Sequence, residues 1–224
     1  MKLRLFAWIV AMIMLNFNGF AENTVNSGNQ PVKKILFIGD SMTGWLSERL
    51  NAYGNENGFE VATVVWDGSS FKKWWSTKRL GGIIKEQSPD AIFVSLGLNE
   101  LFEANPEKNL RVPFDNIMAA IGDKPVLWVG PPSWPGQDKG AILNNWLEKE
   151  LGEEHYFNSS GLKLPRQSAT NPHPTKEGMM EWMDAVIDWI PAHAAVQLPG
   201  VKKPTGNQMA RGDYFLYKRM KEQL

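Results

Sequence analysis

Residues 34–45 read Lys-Ile-Leu-Phe-Ile-Gly-Asp-Ser-Met-Thr-Gly-Trp, and the fold follows from the change of character halfway along them. Ile35 to Ile38 is an unbroken apolar run of strand length, stopped by Gly39 and two short polar residues, Asp40 and Ser41. Beyond the break, Met42, Trp45, Leu46 and Leu50 recur at helical spacing. The stretch therefore reads as a buried strand turning directly into a helix, with Asp40 and Ser41 at the turn. A hydroxyl placed there lies near unpaired backbone N–H groups and the positive end of a helix dipole, both of which stabilise an anion forming on a bound acyl group. The same two residues also suit a helix cap, so position alone leaves nucleophile and cap both open.

The pattern repeats downstream. Glu60 to Trp66 is a β-branched run ending at Asp67-Gly68-Ser69-Ser70, and Ala91 to Leu96 is a strand ending at Gly97-Leu98-Asn99-Glu100. Pro125 to Val129 ends at Gly130-Pro131-Pro132, and a weak fifth strand lies around Tyr156 to Asn158. Helical patterns over Gly82–Gln87, Lys139–Leu151 and Thr175–Ile190, and an irregular start followed by a helix over Pro106–Ile121, fall between and after them. Strands alternating with helices imply parallel pairing, because each crossover needs a helix to return to the same edge. The expected class is α/β: a three-layer helix/sheet/helix sandwich with a mainly parallel five-stranded sheet. In such folds the loops at the carboxyl ends of the strands converge on one crevice, and here they carry Ser41, Gly68, Asn99 and the Pro131-Pro132 pair.

The termini differ from this middle. Met-Lys-Leu-Arg opens the chain, Leu5 to Leu15 is apolar throughout, and Gly19-Phe20-Ala21 offers the small residues a signal peptidase reads. Residues 1–21 are therefore expected to be a secretory leader, too short in its apolar part to span a bilayer, for which ~20 residues are needed. Residues 22–31, rich in Asn, Ser and Gly, read as a flexible lead-in. Residues 32–194 hold the periodic elements as one domain, and residues 195–224, with Pro199, Gly200, Pro204, Gly206 and Gly212, read as a surface extension ending in a short basic helix. The expected destination is the periplasm or the exterior.

Composition bounds the chemistry. With 43% hydrophobic residues and ten tryptophans among 224 residues, the chain can build a full core. Net charge is zero, and loss of Lys2 and Arg4 with the leader leaves 22 basic against 24 acidic residues, so neither nucleic acid nor stable membrane insertion is expected. The absence of cysteine removes disulfides, a thiol nucleophile and a lipid-anchoring cysteine. Zinc, phosphate-loop and dinucleotide patterns are absent, as is the Gly-x-Ser-x-Gly elbow, so the expected site needs no metal and no cofactor. Of three histidines, at 155, 173 and 193, His173 stands apart. It sits in Asn171-Pro172-His173-Pro174-Thr175, where flanking prolines stiffen the loop just before the last amphipathic helix.

Serine early, asparagine in the middle and histidine near the end, each at a strand end or helix entrance, resemble the SGNH hydrolases, also called the GDSL esterase/lipase family. Gly39-Asp40-Ser41-Met42 resembles the nucleophile block, with methionine where leucine is common. Gly68 resembles the lone glycine of the second block, Gly97-Leu98-Asn99-Glu100 the third, and His173-Pro174 the last. The resemblance implies a flavodoxin-like SGNH fold in which Ser41 is the nucleophile and His173 its base. It also implies an oxyanion hole made of the N–H groups of Ser41 and Gly68 and the amide of Asn99. A glycine at 68 is expected because a side chain there would block approach to the carbonyl. The family's aspartate three residues before the histidine is replaced by Thr170, which leaves Thr170, Asn171, a backbone carbonyl or a distant carboxylate to orient the ring. Glu100 stands where aspartate is common.

Trp74 and Trp75 follow the proposed oxyanion loop and Trp134 follows Pro131-Pro132, which makes them candidates to line the crevice, with a place in the core as the alternative. With the leader, the expected activity is hydrolysis of a short-chain acyl ester on an extracytoplasmic glycan, most simply an O-acetyl group. Two alternatives use the same residues: an acyltransferase with a sugar hydroxyl as acceptor, and a glycan-binding protein whose catalytic machinery has decayed.

Overall fold

The computed structural model describes residues 31–134 and 140–217. The expected leader, the lead-in up to residue 30 and the basic helix expected at the very end lie outside the described residues. Among the described residues, six parallel strands form one sheet in the order β5-β4-β3-β1-β2-β6. In chain order these are β1 (Lys34–Gly39), β2 (Glu60–Val65), β3 (Ala91–Ser95), β4 (Val126–Val129), β5 (Tyr156–Phe157) and β6 (Asp213–Leu216). The helices are α1 (Thr43–Asn57), α2 (Phe71–Thr77), α3 (Leu80–Gln87), α4 (Pro106–Ile121), α5 (Gly140–Leu151) and α6 (Lys176–His193).

β1 lies between β2 and β3, and Ile35 to Ile38 are wholly enclosed because both faces of a parallel sheet carry helices. Its side chains alternate. Ile35 and Phe37 pack with Leu46, Leu50, Trp182 and Met183 of α1 and α6. Leu36 and Ile38 pack with Phe71, Phe114, Trp128 and Leu147 on the opposite face. The strand order reverses direction at β1, so the crevice outside the carboxyl ends of β1 and β3 is the topological switch point where such sheets bind ligands.

The expected five strands become six. Asp213–Leu216 pairs in parallel with β2, Ala62 facing Asp213 and Val65 facing Leu216. The segment leading to it is also fastened rather than loosely laid on the surface. Arg49 of α1, 1% exposed, forms a two-pronged pair with Asp184 of α6, Nε–Oδ1 2.7 Å and Nη2–Oδ2 3.1 Å. Its Nη1 donates to the carbonyls of Gly206 and Gln208. Tyr53 Oη and Lys203 Nζ complete the cluster on Asp184 at 2.9 Å each.

Candidate active site

Ser41 sits where β1 gives way to α1, and the local chemistry leaves its hydroxyl out of capping. Gly39 is required by close approach, since a Cβ there would lie 2.0 Å from Ser95 O and 2.3 Å from Thr43 Oγ1. Asp40 folds the turn: its N–H donates to Ser95 O at 3.0 Å, its Oδ1 accepts from Met42 N at 2.9 Å, and its carbonyl accepts from Thr43 N at 3.2 Å. The cap position of α1 falls on Met42, which has no side-chain cap bond. Ser41 Oγ instead meets His173 Nε2 at 2.8 Å across 132 residues of chain.

The other side of the imidazole fixes its tautomer. Asn171 Oδ1 lies 2.9 Å from the backbone N–H of His173 and 3.1 Å from its Nδ1. A backbone N–H can only donate, so the Asn171 atom facing it is the carbonyl oxygen, an acceptor. Nδ1 must then carry the proton, and Nε2 presents its lone pair to the Ser41 hydroxyl. Of the two side chains considered for orienting the ring, Asn171 reaches it. Thr170 is exposed and pairs its hydroxyl with Ser168 Oγ at 3.4 Å instead. Burial pushes the His173 pKa below its usual value, the Arg166 cation adds to this, and the exposed Asp67 carboxylate opposes it.

Three strand-end loops are tied together behind Ser41. Ser69 Oγ donates to Gly39 O at 3.5 Å and accepts from Trp74 Nε1 at 3.0 Å, while Asn99 Nδ2 donates to Ser69 O at 2.7 Å. That bond uses one of the two hydrogens on Nδ2. The bonds closing these turns are donated by Asp40, Met42, Thr43 and Ser69, which leaves the N–H groups of Ser41 and Gly68 out of them. Gly68 has φ +63, and a Cβ there would meet nothing within 4 Å. The left-handed backbone at this position favours glycine.

A buried carboxyl, Asp40, and a partly buried one, Glu100, underlie the loops. Burial raises Asp40 to about 7 against the opposing N–H groups of Met42 and Leu98, and burial raises Glu100 to about 7 against the N–H of Phe71. Glu100 Oε1 accepts from Phe71 N at 2.9 Å, and its Oε2 is buried with no hydrogen-bond partner among the described residues. Glu100 therefore anchors the start of α2 beside the loop that carries Gly68.

The tryptophans separate. Trp74 is 1% exposed, packed against Trp66 and Tyr217, and its indole N–H serves to hold Ser69. The reading of Trp74 as substrate-binding is therefore corrected to a core role. Trp75, 40% exposed, lines a groove with Leu80, Asn116 and Ile117 between α2, α3 and α4. Trp134 packs at 5.8 Å on Phe102, which is 47% exposed and follows the Asn99 loop. Phe102, Arg166 and Asp67 went unread in the sequence, because nothing in its periodicity sets these three apart. Among the described residues no group of three or more His, Asp or Glu is placed to hold a metal ion.

No protein-family profile and no curated protein matches the chain. Among solved structures it is similar to a protein assigned to the lipolytic G-D-S-L family from Desulfitobacterium hafniense DCB-2, at 16% identity and a TM-score of 0.49, over 67% of this chain and 97% of that one. It is also similar to TesA, at 17% identity and a TM-score of 0.48, over 69% of this chain and 96% of that one.

Proposed function

We propose that the chain is a serine esterase of the SGNH type that hydrolyses a short-chain acyl ester, an O-acetyl group on an extracytoplasmic glycan in the simplest case. The reading is carried by one observation: Ser41 Oγ stands 2.8 Å from a ring nitrogen whose lone pair faces it. Ser41 attacks the ester carbonyl as its proton passes to His173 Nε2, a base contribution typically worth ~10²–10⁴ in rate. The oxyanion is received by the N–H groups of Ser41 and Gly68 and the second amide hydrogen of Asn99, each donor commonly worth ~10²–10³. The imidazolium returns the proton to the departing alcohol. Water then attacks the acyl-serine with His173 again as base, releasing the acid and restoring Ser41.

Support for a glycan alcohol comes from the leader expected at residues 1–21 and from the aromatic pair Phe102 and Trp134 on the β3 and β4 loops, since flat rings suit sugar faces. The test is release of acetate from p-nitrophenyl acetate and from an acetylated glycan by the mature chain. Ser41-dependent release from both supports the proposal. Release from the small ester alone removes the glycan part, and release from neither removes the whole.

A further inference from the structure

We propose that Arg166 is a positioning residue for His173, clasping the histidine loop to the loop after β4 and so holding the imidazole at Ser41. The inference rests on the Ser41/His173 reading. Residues 165–166 run antiparallel to 174–175, with a bridge between Arg166 and Pro174 and a bond from Thr175 N to Pro165 O at 2.8 Å. The span between them is bonded largely to itself: Asn171 N to Ser168 Oγ, Asn171 Nδ2 to Gln167 Oε1, and His173 N to Asn171 Oδ1. Such a loop holds its own shape but not its place against the sheet. Arg166 supplies that link. Its Nη1 donates to Pro172 O, next to His173, and its Nη2 donates to Ser133 O at 2.8 Å on the β4 loop.

Arginine suits the task because its planar fork presents two donors at a fixed angle to oxygens on different segments, which a lysine ammonium cannot do with the same rigidity. The charge is the second part of the argument. Burial pushes the Arg166 pKa down, and no ion pair of Arg166 is found among the described residues; carbonyl oxygens hold the cation. Desolvating a cation beside neutral partners is unfavourable for stability alone. Next to a base, the same cation favours the neutral imidazole that accepts the Ser41 proton. The charges acting on that imidazole are Arg166, which disfavours protonation, and Asp67 from the β2 loop, which favours it. Asn171, bonded to Nδ1, is neutral.

The test compares wild type, Arg166→Met and Arg166→Lys with p-nitrophenyl acetate, each normalised to the sites labelled by a fluorophosphonate. For Arg166→Met the expected result is a kcat lower by about 10- to 100-fold, the scale of a small misplacement of reacting groups. KM should stay within about twofold, and the acid inflection of the pH profile should move to higher pH. Arg166→Lys should keep the inflection and show an intermediate kcat. A wild-type kcat and inflection in Arg166→Met would overturn the proposal, as would a lower kcat with the inflection unmoved, which is what a merely loosened fold produces. Should Arg166→Met not fold, Arg166→Lys decides, and wild-type kcat per labelled site overturns the proposal. A wild-type chain without Ser41-dependent turnover sinks the functional reading instead. The His173 ring titration by NMR in wild type and Arg166→Met then still reads the clasp, an unaltered titration in the variant counting against it.

Discussion

Asn171 and His173 form a closed pair in which one amide oxygen accepts both the backbone N–H, at 2.9 Å, and the ring Nδ1–H, at 3.1 Å. The second bond does for the tautomer what a carboxylate does in a serine triad, but without the negative charge that stabilises the imidazolium as it forms. The site thus keeps orientation and gives up electrostatics.

Replacing the amide by a carboxylate separates these two contributions. Asn171→Asp retains the acceptor and adds charge beside Nδ1, so the acid inflection of kcat/KM should rise by about one pH unit or more. Asn171→Ala removes the tautomer lock, and kcat on p-nitrophenyl acetate should fall on the order of 10²-fold with KM little changed.

The wild-type pH profile follows from His173. Its pKa is lowered, by burial first and by Arg166 second, so the base form persists to lower pH than for an ordinary histidine. Activity against p-nitrophenyl acetate should rise with pH through an inflection below 6.5 and be flat around neutrality. An inflection at or above 7 would show the imidazole to be solvated or paired with an anion.

Stability should run the other way with pH. Asp40 and Glu100 titrate near 7 in the fold against ordinary values of 3.8 and 4.5, so between those values the native state holds more protons than the unfolded one. The contribution of these two carboxyls to stability is then full below about pH 4 and is lost as pH rises towards 7, with Glu100 accounting for up to about 3 kcal/mol of it. In Glu100→Gln the Phe71 N–H keeps its acceptor but the titration is gone. The melting temperature of this variant relative to wild type should climb from pH 4.5 to 7.5, and a constant difference would contradict the assignment.

The tail is bound through Arg49. Cutting Arg49 to Ala leaves Asp184 with Tyr53 and Lys203 and strips Gly206 O and Gln208 O of their donor. Urea denaturation should show a loss on the order of 2 kcal/mol, less than the ~3–5 kcal/mol of a buried pair broken without compensation, because Lys203 still faces Asp184.

The strands that carry the site were legible because each is an apolar run ending in glycine or polar turn residues, and β1, buried on both faces, has no competing period. α4 was legible as a helix but not from its first residue: the start read as irregular is helical from Pro106, with Asn105 capping it by accepting from Lys108 N. β6 was not: Asp-Tyr-Phe-Leu is four residues long, follows a Pro- and Gly-rich connection, and is a strand only because the edge of β2 accepts it. The doublet Trp74-Trp75 could not be divided by composition. On a helix, neighbours point about 100° apart, so one ring enters the core while the other stays outside. Serine and histidine could be named from the blocks around them, whereas the choice of Asn171 over Thr170 depends on how the loop turns back on itself.

The central claim is that Ser41 is activated by His173, and the most direct measurement is the stoichiometry and rate of labelling by a fluorophosphonate. One label per chain on Ser41 is expected, lost in Ser41→Ala and slowed at least 10²-fold in His173→Ala. Labelling of wild type no faster than of His173→Ala, or modification at a different residue, would contradict the account.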